Sequence, residues 1–130
     1  MLTSYFAMMR HFPDNLTPIA ICAKVPTWYE GKVYKKVAPS FDILMAYKKT
    51  GDKETYTKAY NQFLKTLDTD QVVKDLMTLS DGKDVVLLCY EKSSDFCHRH
   101  LLAKWLKDHG YNCEEIGRAL VWTPVTRPSR

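Results

Sequence analysis

The sequence predicts a small three-layer α/β domain with a mainly parallel sheet, and three observations carry that prediction. Asp84-Val85-Val86-Leu87-Leu88-Cys89-Tyr90 is an apolar run without alternation, the pattern of a strand covered on both faces. A helical segment follows it to His109, stops at Gly110, and gives way to Tyr111–Ile116, which alternates like a strand. Strand, helix, strand over 84–116 is a βαβ unit, which implies parallel strands joined by a right-handed crossover. The length, 130 residues, suits one domain, placed here at 1–117, with a basic tail or edge strand at 118–130.

The elements follow in order. Residues 4–12 are expected to form a short helix capped by Thr3 or Ser4 and stopped at Pro13. Pro18 to Ala23 reads as a buried strand. Lys24 to Pro39 contains Pro26, Trp28, Tyr29, Gly31 and Tyr34, and its Gly and Pro punctuation predicts a long loop. Ser40 caps a helix to about Lys49. In a second helix, about 53 to 67, Tyr56, Tyr60, Phe63, Leu64 and Leu67 form one core-facing stripe. A third, about 70 to 79, begins at Asp68 or Thr69 and buries Val73, Leu76 and Met77. Asp81-Gly82 is a turn. Ser93, Ser94 and Asp95 offer N-caps to the last helix, whose inner face carries His98, Leu101, Leu102, Trp105 and Leu106.

Composition narrows the class. With 45% hydrophobic and 26% charged residues the chain is folded rather than disordered. No apolar run approaches the roughly 18 residues of a transmembrane helix, so no membrane partner is expected. Met1-Leu2-Thr3-Ser4-Tyr5 lacks the pattern of a secretory signal. A cytoplasmic protein is therefore expected, with Cys22, Cys89, Cys97 and Cys113 reduced. No C-x-x-C pair, P-loop motif or G-x-G-x-x-G is present. The net charge of +4 permits phosphate or nucleic-acid partners, although a dedicated duplex binder carries a denser basic stripe.

Chemistry concentrates in the eleven residues from Cys89 to Arg99. Two thiols, a carboxylate, an imidazole and a guanidinium lie where a strand ends and a helix begins. Open α/β sheets bind ligands at such junctions, and free amides at a helix start attract anions. Cys97, in the first helical turn, is the candidate thiolate, because helix starts lower thiol pKa values. Arg99 is placed to hold a phosphate or carboxylate bidentately, His98 to act as acid or base, and Glu91 to orient a hydroxyl or serve as base. Cys89 is a second thiol close enough to resolve an oxidised Cys97.

Plainer readings stand beside these. Cys89 suits core packing, His98 lies on the core stripe, and Glu91 can pair with Lys92 or Arg99. His100 and His109 read as surface or capping groups, and Cys22 and Cys113 as core. Zinc at Cys22, Cys89, Cys97 and His98 ranks below an anion site. Structural zinc sites use ligand pairs two to four residues apart, and adjacent Cys97 and His98 diverge on a helix. No cofactor and no metal is called for.

The strand ending in Cys89-Tyr90-Glu91-Lys92, then Phe96-Cys97-His98-Arg99 opening the helix Leu101-Leu102-Ala103-Lys104-Trp105-Leu106, resembles the bacterial and phage family known as domain of unknown function 488. Thr3-Ser4-Tyr5-Phe6 and the loop with Pro26, Trp28, Gly31, Tyr34 and Pro39 extend the resemblance to about residues 3 to 117. It implies a small α/β domain, implies no particular reaction, and puts Tyr5, Lys24 and Trp28 beside the site as ligand-binding contributors. Members often carry arginine where Lys24 stands.

Three functions follow as expectations. One is an enzyme acting on a nucleotide-like or other small anionic molecule through Cys97 or Glu91. Another is a non-catalytic module for nucleotides or nucleic acid, in which Lys24, Lys32, Lys35 and Lys36 interleave with Trp28, Tyr29 and Tyr34. The third is a redox sensor using Cys89 and Cys97.

Overall fold

The computed structural model describes residues 1–90 and 96–116. Among these are strands β1 (Leu2–Tyr5), β2 (Leu16–Ala20), β3 (Lys32–Val33), β4 (Asp84–Cys89) and β5 (Glu114–Glu115), with helices α1 (Phe41–Thr50), α2 (Lys53–Lys65), α3 (Thr69–Leu79) and α4 (His98–Asp108). The strands form one all-parallel sheet in the order β3-β2-β4-β1-β5. The α/β class read from the sequence is therefore the class observed.

The unalternating run occupies the centre of the sheet. Val85, Val86, Leu87 and Leu88 are sealed from solvent, each worth roughly 1.5–3 kcal/mol of transfer free energy. Val85 and Leu87 pack with Ile19, Tyr60, Leu64, Leu102 and Leu106 beneath the α-helices. Val86 and Leu88 pack on the other face with Phe6, Met8 and Tyr29. That second layer is thin: a 3-10 helix at Phe6–His11 and the segment after β2 supply it.

Several expectations are corrected. Thr3 and Ser4 do not cap a helix; they lie in β1 beside β4, with partners Leu87 and Leu88. Their hydroxyls instead serve the neighbouring edge, Thr3 donating to Glu115 at 2.6 Å and Ser4 to the Ile116 carbonyl at 3.3 Å. The loop from Lys24 to Pro39 contains β3 and a 3-10 helix at Lys35–Val37. In α3 the buried stripe is Thr69, Val72 and Leu76, which leaves Met77 on the flank at 47% exposure. The caps Ser40 and Asp68 behave as read, each accepting a first-turn amide. Gly31 is required by packing, because a Cβ there would lie 2.5 Å from the Tyr29 hydroxyl.

The order of strands positions the site. From β1 the chain passes through the 3-10 helix on one face to reach β2; from β4, α4 covers the other face and leads to β5, which docks on β1 rather than on β4. Adjacent strands whose connections leave on opposite faces and in opposite directions open a crevice at their carboxyl ends. Those ends are Tyr5 and Cys89, direct partners in the register. No helix among the described residues is long and apolar enough to cross a membrane.

Candidate functional site at the carboxyl end of β4

Cys89 is the last residue of β4, and Cys97 is the N-cap of α4. Cys97 has extended backbone (φ −158°, ψ 146°) and its side chain makes no capping bond. It is therefore not displaced from His98 by a helical step, and the two side chains converge rather than diverge. The Cys89 and Cys97 sulfurs lie 2.6 Å apart, and His98 Nδ1 lies 3.7 Å from the first and 3.9 Å from the second. All three residues are buried. Of the four candidate zinc ligands, these three meet; Cys22 packs with Phe6 and Met8 on the other face, its thiol donating to the Lys24 carbonyl at 3.1 Å.

His98 Nε2 lies 2.9 Å from the Ile21 carbonyl oxygen. A carbonyl only accepts, so Nε2 carries the proton, and in the neutral ring Nδ1 presents its lone pair to the sulfurs. The Tyr60 ring meets the imidazole edge to face at 5.5 Å. The lowered thiol pKa expected of a helix-start cysteine does not arise. The hydrogen bond with Cys89, and then burial, push the Cys97 thiol well above its ordinary range.

Arg99 is wholly buried. Its fork is spent inside the protein: Nε donates to Glu115 Oε1 at 3.0 Å and Nη2 to Oε2 at 2.9 Å. Burial opposes the charge, but the bonds to Glu115 and the nearby Cys97 and Cys89 together raise the guanidinium pKa. A bidentate grip on a ligand is thus not what Arg99 offers. It offers Nη1, which is buried and has no hydrogen-bond partner among the described residues. The guanidinium carbon lies 5.8 Å from the centre of the Tyr5 ring, which brings Tyr5 to the site.

Lys24 is exposed, and Trp28 is 57% exposed on the face opposite α4. Trp28 meets the edge of Phe6 at 6.2 Å, and Tyr90, 49% exposed, meets Phe6 at 5.1 Å. Phe6 follows β1 and Tyr90 follows β4, so this cluster sits at the same end of the sheet as the sulfurs. The other loop groups are committed internally. Tyr29 is buried and donates to the Lys32 carbonyl at 2.6 Å, Tyr34 donates to Asp75 at 2.5 Å, and Lys32 pairs with Asp81 at 2.7 Å. A groove of about 490 Å³ lies beyond Glu115, lined by Thr3, His100, Lys104, Lys107 and Cys113 among others. His109 caps α4, donating from Nδ1 to the Trp105 carbonyl at 2.8 Å.

Glu91 lies outside the described residues, as do the proposed caps Ser93, Ser94 and Asp95 and the tail at 118–130. Sequence reasoning missed Glu115, Ile21 and Tyr90. Glu115 had one signal, an acid inside a segment that alternates like a strand. The Ile21 carbonyl had none, because its role is set by tertiary approach.

A family model described as "DUF488-N3a: Active DUF488-N3 subclade" matches residues 9–110. The chain belongs to the DUF488 family. No curated protein and no solved structure matches it. Within this DUF488 chain, the Cys-His-Arg run at 97–99 sends three side chains to three tasks. The sulfur meets Cys89, the imidazole bridges to the end of β2, and the guanidinium crosses to β5.

Proposed function

We propose that this protein binds a small anionic ligand of the phosphate or nucleotide type at the β4–α4 junction and acts on it through Cys89, Cys97 and His98. The observation that carries the reading is Arg99 Nη1, a charged donor buried in the guanidinium that faces the Tyr5 ring at the end of β1, without a protein partner among the described residues. A buried cationic nitrogen left unpaired costs stability, and an anion near the helix N-terminus, where the dipole favours negative charge, satisfies it. Trp28 and Tyr90 add exposed rings on which a base can stack. His98 Nδ1 is oriented to take a thiol proton, as a sulfur nucleophile requires. The subclade's own description as active accords with an enzyme. Lys24 and Glu91 complete the proposed set, as peripheral cation and as base. The neighbouring sulfurs also favour a second reading, disulfide formation with hydrogen peroxide as oxidant, in which two thiols and one peroxide give one S–S bond and two waters, and a small thiol reductant reverses it.

A thermal-shift screen of inorganic phosphate, nucleoside monophosphates and nucleosides tests the main reading. Phosphate-bearing compounds should raise the melting temperature, and nucleosides should not. Turnover of any hit should fall at least about a hundredfold in Cys97→Ser. Stabilisation by nucleosides alone would remove the anion site.

A further inference from the structure

We propose that Cys89, Cys97 and His98 together bind one thiophilic divalent cation, zinc by its chemistry, through two sulfurs and one imidazole nitrogen. The inference shares its place with the ligand site above and rests on the same reading of the junction. It assigns the three side chains a different task there: with the metal bound, both thiolates and Nδ1 are its ligands rather than nucleophile and base.

The donor set is complete in kind and close in geometry. The two sulfurs and Nδ1 all lie within 4.8 Å of one another. Tetrahedral zinc with bonds of about 2.3 Å to sulfur and about 2.0 Å to nitrogen places sulfur and nitrogen roughly 3.6 Å apart and two sulfurs roughly 3.8 Å apart. The sulfur–nitrogen separations, 3.7 and 3.9 Å, already fit. The sulfurs, 2.6 Å apart, must part by about 1 Å to reach the tetrahedral spacing. The Cys97 side chain has that freedom, because it caps no amide.

The outer shell also fits. A metal-bound histidine characteristically donates its second ring N–H to a carbonyl or carboxylate, which fixes the tautomer and aims the other nitrogen. His98 does so, with Nε2 on the Ile21 carbonyl and Nδ1 on the sulfurs. Nothing about core packing alone requires the imidazole lone pair to face two thiols. Charge balances as well. As zinc binds, each sulfur releases its proton to solvent, so two thiolates, a neutral imidazole and a divalent cation sum to zero. A buried setting tolerates that sum, and the nearby Arg99 is matched by Glu115. Soft sulfur ligands with one imidazole select zinc over calcium, magnesium or manganese. Three protein ligands leave the fourth position to water or to a ligand oxygen, the arrangement of catalytic rather than structural zinc.

Cobalt(II) is the probe. Titrated into the reduced, metal-free protein, it should give a thiolate-to-cobalt charge-transfer band that saturates at one ion per chain and is displaced by zinc. Cys89→Ala and Cys97→Ala should each cut the band at least about twofold, whereas Cys22→Ala, on the other face, should retain it. X-ray absorption of the zinc-loaded wild type should show two sulfurs and at least one nitrogen, a readout that does not depend on variants folding. Absence of the band in reduced wild type would overturn the inference. So would a band lost equally in Cys22→Ala, or an absorption spectrum of oxygen and nitrogen ligands only. Phosphate titrations of chelator-treated protein separate the two proposals. Phosphate binding without cobalt uptake removes the metal and spares the anion site, and cobalt uptake without phosphate binding does the reverse.

Discussion

Arg99, in the first turn of α4, forks onto Glu115 of β5 through two bonds of 3.0 and 2.9 Å. The pair ties the start of a helix to the strand that follows it, and so closes the β4–α4–β5 unit around the site. Glu115 also accepts from Thr3 of β1, so one carboxylate joins three elements. Breaking a buried pair from one side costs about 3–5 kcal/mol, mostly because the remaining charge is stranded. Glu115 is 23% exposed, which favours the lower end. Glu115→Gln should therefore lower the unfolding free energy by about 3 kcal/mol in urea titrations. A loss below about 1 kcal/mol would mean the pair behaves as an ordinary surface bridge.

Cys97 should be slow to react in the metal-free protein. Each unit by which a thiol pKa rises removes about tenfold of its thiolate, and the Cys89 bond and burial both raise that of Cys97. Peptide-mapped alkylation with iodoacetamide near neutral pH should label native Cys97 at least about tenfold more slowly than the unfolded chain. Cys97 emerging as the fastest native cysteine would contradict the geometry.

Alkaline pH should weaken the fold through its buried hydroxyl and thiol groups. Burial pushes the Tyr29 hydroxyl up to about 12, a rise the Ala20 backbone opposes and Cys22 reinforces. Below the unfolded value near 10 both states are protonated and the stabilisation is complete. As pH climbs from about 10 to about 12 the unfolded chain ionises first, and stability falls. Burial raises Cys113 to about 11 in the same sense. Urea midpoints measured from about pH 8 to about pH 11.5 should decline for wild type and decline less steeply for Tyr29→Phe. Equal slopes would show that Tyr29 is not the responsible group.

The fold was legible where one physical requirement dominated a segment. The unbroken run Val85–Leu88 has no stable place except a doubly covered strand, and Tyr56, Tyr60 and Leu64 have no common side except that of a helix. Ser40 and Asp68 announced their helices. Residues 2–5 misled because Thr3 and Ser4 suit helix caps as well as strands, and only the approach of Glu115 and Ile116 decides between them. The junction was legible as a place, since Cys89 and the Cys97-His98-Arg99 run bracket a strand end and a helix start. Its internal geometry was not. That Cys97 stands outside the helix, turning toward Cys89, depends on a backbone conformation that spacing does not reveal. That Arg99 turns inward depends on a carboxylate sixteen residues away. Lys32 and Tyr34 looked like a ligand surface because their partners, Asp81 and Asp75, arrive from α3 and the turn beyond it.

The central claim is that an anion binds where α4 begins, against the carboxyl ends of β1 and β4. Nitrogen-15 correlated NMR during titration with inorganic phosphate and then adenosine monophosphate tests it most directly. Saturable shifts are expected at the amides of His98, Arg99 and His100 and at the Arg99 side chain, with shifts at Trp28 and Tyr90 for the nucleotide alone. Shifts confined to Lys32, Lys35 and Lys36, with the start of α4 unmoved, would contradict it.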